Sequence, residues 1–378
     1  MKSLKIFSYV FFLLTSPALF QAGEASLAAT NHWARPVITS AEGSISPNPE
    51  TCKKCHTERY ADWSGSLHSK SVSPGLLAQL DPERDPAFAI SCYLCHAPAV
   101  EQREVLSAMD KFFVNEKFDE EFKMSGVSCA ACHLRGGRAM GPKDATLKAG
   151  DAPPAHPSEK EPLFSSSEFC KACHQMDRGF EINGKLLTNT YNEWKESYYG
   201  DRNITCQNCH MPGGRHLFRG IHDKEMTANG LKFTVKNETD KEGIKARLTI
   251  TNVKVGHYFP TYVTPLVVVR GFLTDADGEV IDDTMKKTFI GRQIPLDLSK
   301  EVFDTRIAPL ESTAFVYLKT RTKGARKLTL EVWVLPDEFY TRFFTQALKR
   351  NSANRKYKEA LKITKDSAYQ LYKKEFDL

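Results

Sequence analysis

Cys129-Ala130-Ala131-Cys132-His133 is one of five pentapeptides of the form Cys-x-x-Cys-His in this chain of 378 residues. The others are Cys52-Lys53-Lys54-Cys55-His56, Cys92-Tyr93-Leu94-Cys95-His96, Cys170-Lys171-Ala172-Cys173-His174 and Cys206-Gln207-Asn208-Cys209-His210. Together they use all ten cysteines. Two thiols on one helical turn can form thioethers to the two vinyl groups of a haem, and the adjacent imidazole ligates iron from one face. A disulfide framework, a thioredoxin-type redox pair or a zinc site each accounts for paired cysteines. None of them explains a histidine after every second cysteine. The pattern therefore predicts five covalently bound haem c groups, with His56, His96, His133, His174 and His210 as proximal ligands.

The five motifs fall between residues 52 and 210, a stretch of 159 residues. A segment that short cannot bury five porphyrins separately, so they are expected to pack against one another, form much of the core and make a path for electrons. First cysteines are spaced 40, 37, 41 and 36 residues apart, and little beyond the motif recurs, so this is no solenoid repeat.

Six histidines lie outside the motifs: His32, His68, His156, His216, His222 and His257. They are enough to close five open iron faces but do not have to do so. His68, His156, His216, His222 and His257 are the candidate distal ligands. His32, in a proline-flanked segment, is the weakest. His68 follows Tyr60, Trp63 and Ser66, an expected helix start with an aromatic face for a porphyrin. Met176 and Met211 are nearest the motifs and are read as packing residues, although a methionine ligand would raise the potential.

The first residues, Met1-Lys2-Ser3-Leu4-Lys5, are basic, and Ile6 to Phe20 are apolar or small almost throughout. This is the anatomy of a secretory signal peptide, with cleavage expected after Ala25. The expectation is an exported protein, in the periplasm or at the cell surface, with no membrane span once residues 1–25 are removed. Hydrophobic residues at 41 % and charged residues at 26 % exclude a multi-span membrane protein and a largely disordered chain. The formal charge is +6, but no basic run concentrates it, so nucleic acid is not an expected partner. Removing residues 1–25 leaves +5, and five ferric haems at about −1 each, from iron, porphyrin and carboxylates together, would bring it near zero, so the basicity does not argue for an acidic partner either.

The run Cys55-His56-Thr57-Glu58-Arg59-Tyr60-Ala61-Asp62-Trp63-Ser64-Gly65-Ser66-Leu67-His68 resembles the first-haem pattern of the multihaem cytochrome c-554 family, within the hydroxylamine-oxidoreductase-like cytochromes. The resemblance continues through Gly126-Val127-Ser128-Cys129, Tyr191-Asn192-Glu193-Trp194-Lys195-Glu196-Ser197, Cys209-His210-Met211-Pro212 and Arg215 to Asp223, and so spans residues 50–225. It implies that His68 is a distal ligand of another haem and that the stretch around His216 and His222 carries distal histidines. Two departures stand out. The name-giving member has four haems, and this chain has five motifs plus a further C-terminal region. It also has no Cys-x-x-Cys-Lys, so the lysine-ligated haem of ammonifying nitrite reductases is absent.

Beyond residue 230, aromatic and β-branched segments at Leu231–Lys236, Ala246–Val253, Leu266–Thr274, Ala314–Thr320 and Lys327–Val334 predict strands, with Asp275-Ala276-Asp277-Gly278 as a hairpin turn. An immunoglobulin-like β-sandwich is expected. Val255-Gly256-His257-Tyr258-Phe259-Pro260-Thr261 is similar to a Gly-His-x-x-Pro-Thr element of related multihaem proteins, so His257 is either a cap on a haem or an exposed loop residue. After Pro336 two helices are expected, the first on Phe339, Phe343 and Ala347, the second on Tyr357, Leu361, Ala368, Leu371 and Phe376.

The fold class expected is thus α+β and multidomain: signal peptide 1–25, extension 26–48, a mostly helical pentahaem segment 49–225 with the haems as its core, a β-sandwich 226–335 and C-terminal helices 336–378. The leading functional expectation is an electron carrier between redox protein partners in respiratory electron transfer. A second is an oxidoreductase acting on a small nitrogen or sulfur compound at one haem with an open axial position. A third gives the sandwich a role in docking a partner or joining subunits into an oligomer.

Overall fold

The computed structural model describes residues 45–109, 111–143, 156, 158–177 and 179–378. The expected signal peptide, its expected cleavage site and His32 lie outside the described residues. No helix among those described is long and apolar enough to cross a membrane.

The described residues within 49–225 form short helices joined by loops and small two- and three-stranded pieces. Local sequence starts each helix. Asn48 accepts a hydrogen bond from Glu50 N ahead of Pro49, and Asp85 accepts from Phe88 N ahead of Pro86. A capping side chain followed by proline in the first turn satisfies a backbone donor and presets φ. Four of the motifs end a helix: Pro86–His96, Cys129–His133, Glu168–His174 and Cys206–His210. The first lies on Pro49–Lys53 and the turn after it, where His56 N bonds Cys52 O at 2.9 Å. The described residues of this segment bring few apolar side chains together. One cluster is Ala99, Phe122, Ala130, Leu134 and Ala139, and the other is Val72, Ala89, Tyr93 and Ala97.

The C-terminal region is built differently. Strands β1 (Leu231–Asn237), β2 (Gly243–Asn252), β3 (Leu266–Thr274), β4 (Lys286–Gln293), β5 (Phe303–Asp304), β6 (Ser312–Thr320), β7 (Lys327–Leu335) and β8 (Tyr369–Asp377) form two antiparallel sheets. One runs β5-β4-β3-β7-β8 and the other β6-β2-β1. Ile244, Ala246, Leu248 and Ile250 of β2 face inward at a period of two and meet Val267, Val269, Leu273, Leu328, Leu330, Val332 and Val334 of the opposite sheet. Facing sheets that share one apolar core exclude water from both.

Three elements differ from the sequence reading, the two-residue strand β5 being the smallest. Strand β4 was not foreseen, because it opens on exposed Lys286 and Lys287 and carries a short apolar stretch at Phe289 and Ile290. The C-terminal tail is not two helices. Helices α1 (Glu338–Arg350) and α2 (Arg355–Asp366) are present, but Ala368, Leu371 and Phe376 do not continue α2. The chain turns at Ser367 and residues 369–377 pair antiparallel with β7 through Lys327↔Asp377 to Val334↔Tyr369, so the β unit does not end at residue 335. The backbone groups along β7 need partners, and the 369–377 strand supplies them. Tyr340 of α1 covers Gly75 of the helical segment, where a Cβ would stand 3.2 Å from its ring.

Candidate haem and axial-ligand sites

No disulfide joins any two of the ten cysteines. They are not five isolated pairs. The thiols of Cys52 and Cys129, of Cys95 and Cys173, and of Cys170 and Cys206 lie close enough to perturb one another's ionisation. The first motif therefore adjoins the third, and the fourth adjoins both the second and the fifth.

Four of the five motif histidines have a second imidazole opposite them. Ring centroids are 6.2 Å apart for His56 and His156, 6.0 Å for His133 and His216, 6.1 Å for His174 and His68, and 6.4 Å for His210 and His257. These separations test the fit of a haem. A metal–imidazole bond of about 2 Å plus roughly 1.1 Å from ring nitrogen to centroid puts two rings on opposite sides of one metal about 6.2 Å apart. The observed separations of 6.0 to 6.4 Å are those that an iron ligated on both faces would require.

The ring nitrogens are arranged accordingly. Nδ1 of His96, His133, His210 and His257 is hydrogen-bonded to the carbonyls of Ser71 (2.9 Å), Met140 (2.7 Å), Arg219 (2.6 Å) and Tyr258 (2.8 Å). A proton held on Nδ1 by a carbonyl leaves the Nε2 lone pair for a metal. Burial is the main cause that pushes His68 down to about 3 and His174, His216 and His257 down to about 4. Each is therefore neutral at pH 7, the form that ligates.

His96 and His222 stand apart. Among the described residues no imidazole faces His96 in this way. His222 Nε2 lies 3.1 Å from Asp337 Oδ2, and its buried Nδ1 has no hydrogen-bond partner. Of the five candidate distal histidines, His68, His156, His216 and His257 face a motif histidine, and His222 faces a carboxylate.

Several supporting side chains were not singled out from sequence. Asp62, with its side chain 5 % exposed, accepts hydrogen bonds from Arg215 Nε (3.1 Å), Arg215 Nη2 and His216 N (3.1 Å), so it ties the helix after the first motif to the strand-like run carrying His216. Glu193 is equally buried and reaches the His257 loop. Arg292, fully buried in β4, donates to Ile182 O, Lys185 O and Leu186 O and fixes a small hairpin of the helical segment against the sheets. Both acids sit next to aromatic residues in short helical turns, Tyr60-Ala61-Asp62-Trp63 and Tyr191-Asn192-Glu193-Trp194. An acid among buried aromatics is the signal that could have marked them.

Comparisons with known proteins agree with this arrangement. Residues 51–134 match the family described as cytochrome c554 and c-prime. No curated protein sequence matches the chain. Among solved structures, a penta-heme cytochrome c552 from Thermochromatium tepidum superimposes with a TM-score of 0.61 at 19 % identity, covering 88 % of this chain and 98 % of that one. A structural-genomics target solved by X-ray crystallography gives a TM-score of 0.16 at 13 % identity, covering 29 % of this chain and 75 % of that one, and carries no argument. The first likeness is one of fold. With the family match over residues 51–134, it supports a multihaem c-type cytochrome.

Proposed function

We propose that the protein is an exported pentahaem electron relay in which four haems are closed by histidine on both faces. The observation that carries this reading is the set of four imidazole pairs at 6.0 to 6.4 Å. The pairs are His56 with His156, His133 with His216, His174 with His68 and His210 with His257. Each motif's cysteines hold one haem by thioether bonds, and the haems fill the core that the two small apolar clusters leave unfilled. When bound, haem c supplies a one-electron iron couple. The residues of this chain do the rest. The paired histidines keep water and substrates off the metal, and the carbonyls on Nδ1 fix the ring orientation. The thiol neighbours suggest the order, with the first motif beside the third and the fourth between the second and the fifth. Cys132, Cys170 and Cys173 influence one another electrostatically, which supports the third-to-fourth step. The two-sheet region, of immunoglobulin-like type in this reading, contributes His257 and is part of the redox unit.

A second reading is favoured by His96, which has no facing imidazole among the described residues. Its haem then offers an open axial position where a small nitrogen or sulfur compound could react, fed by the four closed haems.

Electron paramagnetic resonance of the oxidised, fully loaded protein tests both. High-spin iron at about one haem in five supports a relay ending in an open site. A wholly low-spin spectrum removes the second reading and leaves a carrier. High-spin iron well above one haem in five overturns the four closed pairs.

A further inference from the structure

We propose that Glu193 is the positioning residue that holds His257 opposite His210. The inference rests on the reading of these two histidines as an axial pair.

His257 is delivered by the loop between β2 and β3, which belongs to the sheets, whereas His210 ends a helix of the haem-bearing segment. A ligand delivered across such a boundary needs a group on the far side to fix its distance. The loop's hold on its own unit is clear: Asn252 Nδ2 donates to His257 O at 3.1 Å, and Asn252 Oδ1 accepts from Val255 N at 3.0 Å. The hold from the haem side centres on Glu193, in the helix Thr190–Lys195. Its carboxylate accepts from Tyr258 N at 3.2 Å and from Thr261 Oγ1 at 2.7 Å, bracketing the residues just after His257. It also accepts from Arg306 Nη1 at 2.8 Å, and the same guanidinium donates to Thr261 O at 3.1 Å. The Glu193 and Arg306 side chains are 4 % and 8 % exposed. Taking a carboxylate out of water is costly unless its hydrogen bonds are made, and all those of Glu193 go to this loop and the arginine beside it.

The helix bearing Glu193 is itself braced to the neighbouring haem sites. Tyr191 Oη donates to Glu168 in the fourth-motif helix, and Asn192 N donates to Oε1 of Gln175, which follows His174, at 3.1 Å. Trp194 Nε1 donates to Ile204 O, two residues before Cys206, at 2.8 Å. One short helix thus references the His257 loop to the fourth and fifth motifs. Gly256 of the loop lies against Trp194 and Tyr199, where a Cβ would stand 3.4 and 3.5 Å away in ordinary contact.

The test uses the fully loaded chain and quantifies high-spin ferric iron by electron paramagnetic resonance. His257→Ala sets the scale and is expected to add one haem equivalent of high-spin iron. Glu193→Ala is expected to approach that value and to return to low spin on adding imidazole, with Glu193→Gln lying between it and the wild type. Glu331→Gln serves as the control, because Glu331 pairs with Arg270 inside the sheets and does not touch the loop. It is expected to leave the spectrum unchanged. If Glu193→Ala and Glu193→Gln stay low-spin while His257→Ala opens one iron, the proposal fails. It fails equally if Glu331→Gln opens as much iron as Glu193→Ala, since the role is then merely structural. If His257→Ala itself changes nothing, the axial-pair reading is what has failed.

Discussion

The imidazoles of His210 and His257 face each other at 6.4 Å with their planes 8° from parallel, although one ends a helix of the haem-bearing segment and the other lies on a loop between strands. The pair is the point at which the two architectures become one unit. It also explains why so many charged contacts cross between them. Lys185 meets Glu301 at 3.0 Å and Asp304 at 2.8 Å, and Arg306 meets Glu193. Glu193 and Arg306 are buried, and such a pair contributes by holding two elements in register rather than by net stability.

The imbalance of apolar cores predicts what haem removal does. Seventeen buried apolar residues form the core shared by the two sheets, against clusters of five and four in the described part of the haem-bearing segment. Chain produced without haem attachment is expected to keep a protease-resistant fragment from about residue 226 onward while the preceding segment is digested. Mass spectrometry of a limited digest reads this out. Equal resistance of both halves in the haem-free chain would show that the helical segment does not depend on porphyrins for its core.

Asp62 holds both the Arg215 guanidinium and the backbone N–H of His216, whose ring lies 6.0 Å from that of His133. In Asp62→Asn the amide cannot accept from both guanidinium nitrogens and the backbone N–H, so the tie to His216 is weakened. The expected results are a lower thermal midpoint and a partial high-spin signal of at most one haem equivalent. A stability loss with an unchanged spectrum would confine Asp62 to a role in folding.

The legibility of this chain follows the strength of local chemistry. The motifs were plain because thioether attachment demands two cysteines and a histidine at fixed spacing, whatever the fold. His68 and His257 could be singled out because aromatic and glycine neighbours mark them, but their partners could not be named, since pairing joins residues as far apart as His68 and His174. The same limit hid Glu193 and Asp62, whose meaning lies in contacts across the fold. Strands β1, β2, β3, β6 and β7 were readable from β-branched alternation. The last strand was misread because Tyr357 and Leu361 do form a helical stripe in α2, and Leu371 and Phe376 seemed to extend it. What overrides that local pattern is the open edge of β7, which sequence periodicity does not register.

Acid should loosen the contact between the two architectures. Burial alone would raise the Asp304 carboxyl, but hydrogen bonds from Arg306 and Lys185 outweigh it and hold it well below the usual carboxylate range. A carboxyl depressed in the folded state contributes stability above its unfolded value of about 3.9, and that contribution is lost as pH falls below it. Thermal midpoints measured from pH 6 down to pH 3 should therefore drop more steeply in the wild type than in Asp304→Asn. Parallel curves would mean that the pair with Arg306 and Lys185 adds nothing to folding.

Strand β8 closes the sheet edge and also reaches back to the helical segment. Tyr369 Oη donates to Ile221 O at 2.6 Å and lies 2.9 Å from Thr227 Oγ1, while Gln370 Nε2 donates to the buried Glu331 at 2.9 Å. Tyr369→Phe keeps the ring but leaves the Ile221 carbonyl without this donor, at a cost of about 1–3 kcal/mol. Deleting residues 367–378 does more. It bares the backbone of β7 along Lys327 to Val334, a long apolar edge of the kind that pairs with other chains. The deletion is expected to lower the thermal midpoint further than Tyr369→Phe and to produce concentration-dependent association in sedimentation. A truncated chain that stays monomeric and melts like Tyr369→Phe would show that β8 serves only to carry the Tyr369 hydroxyl.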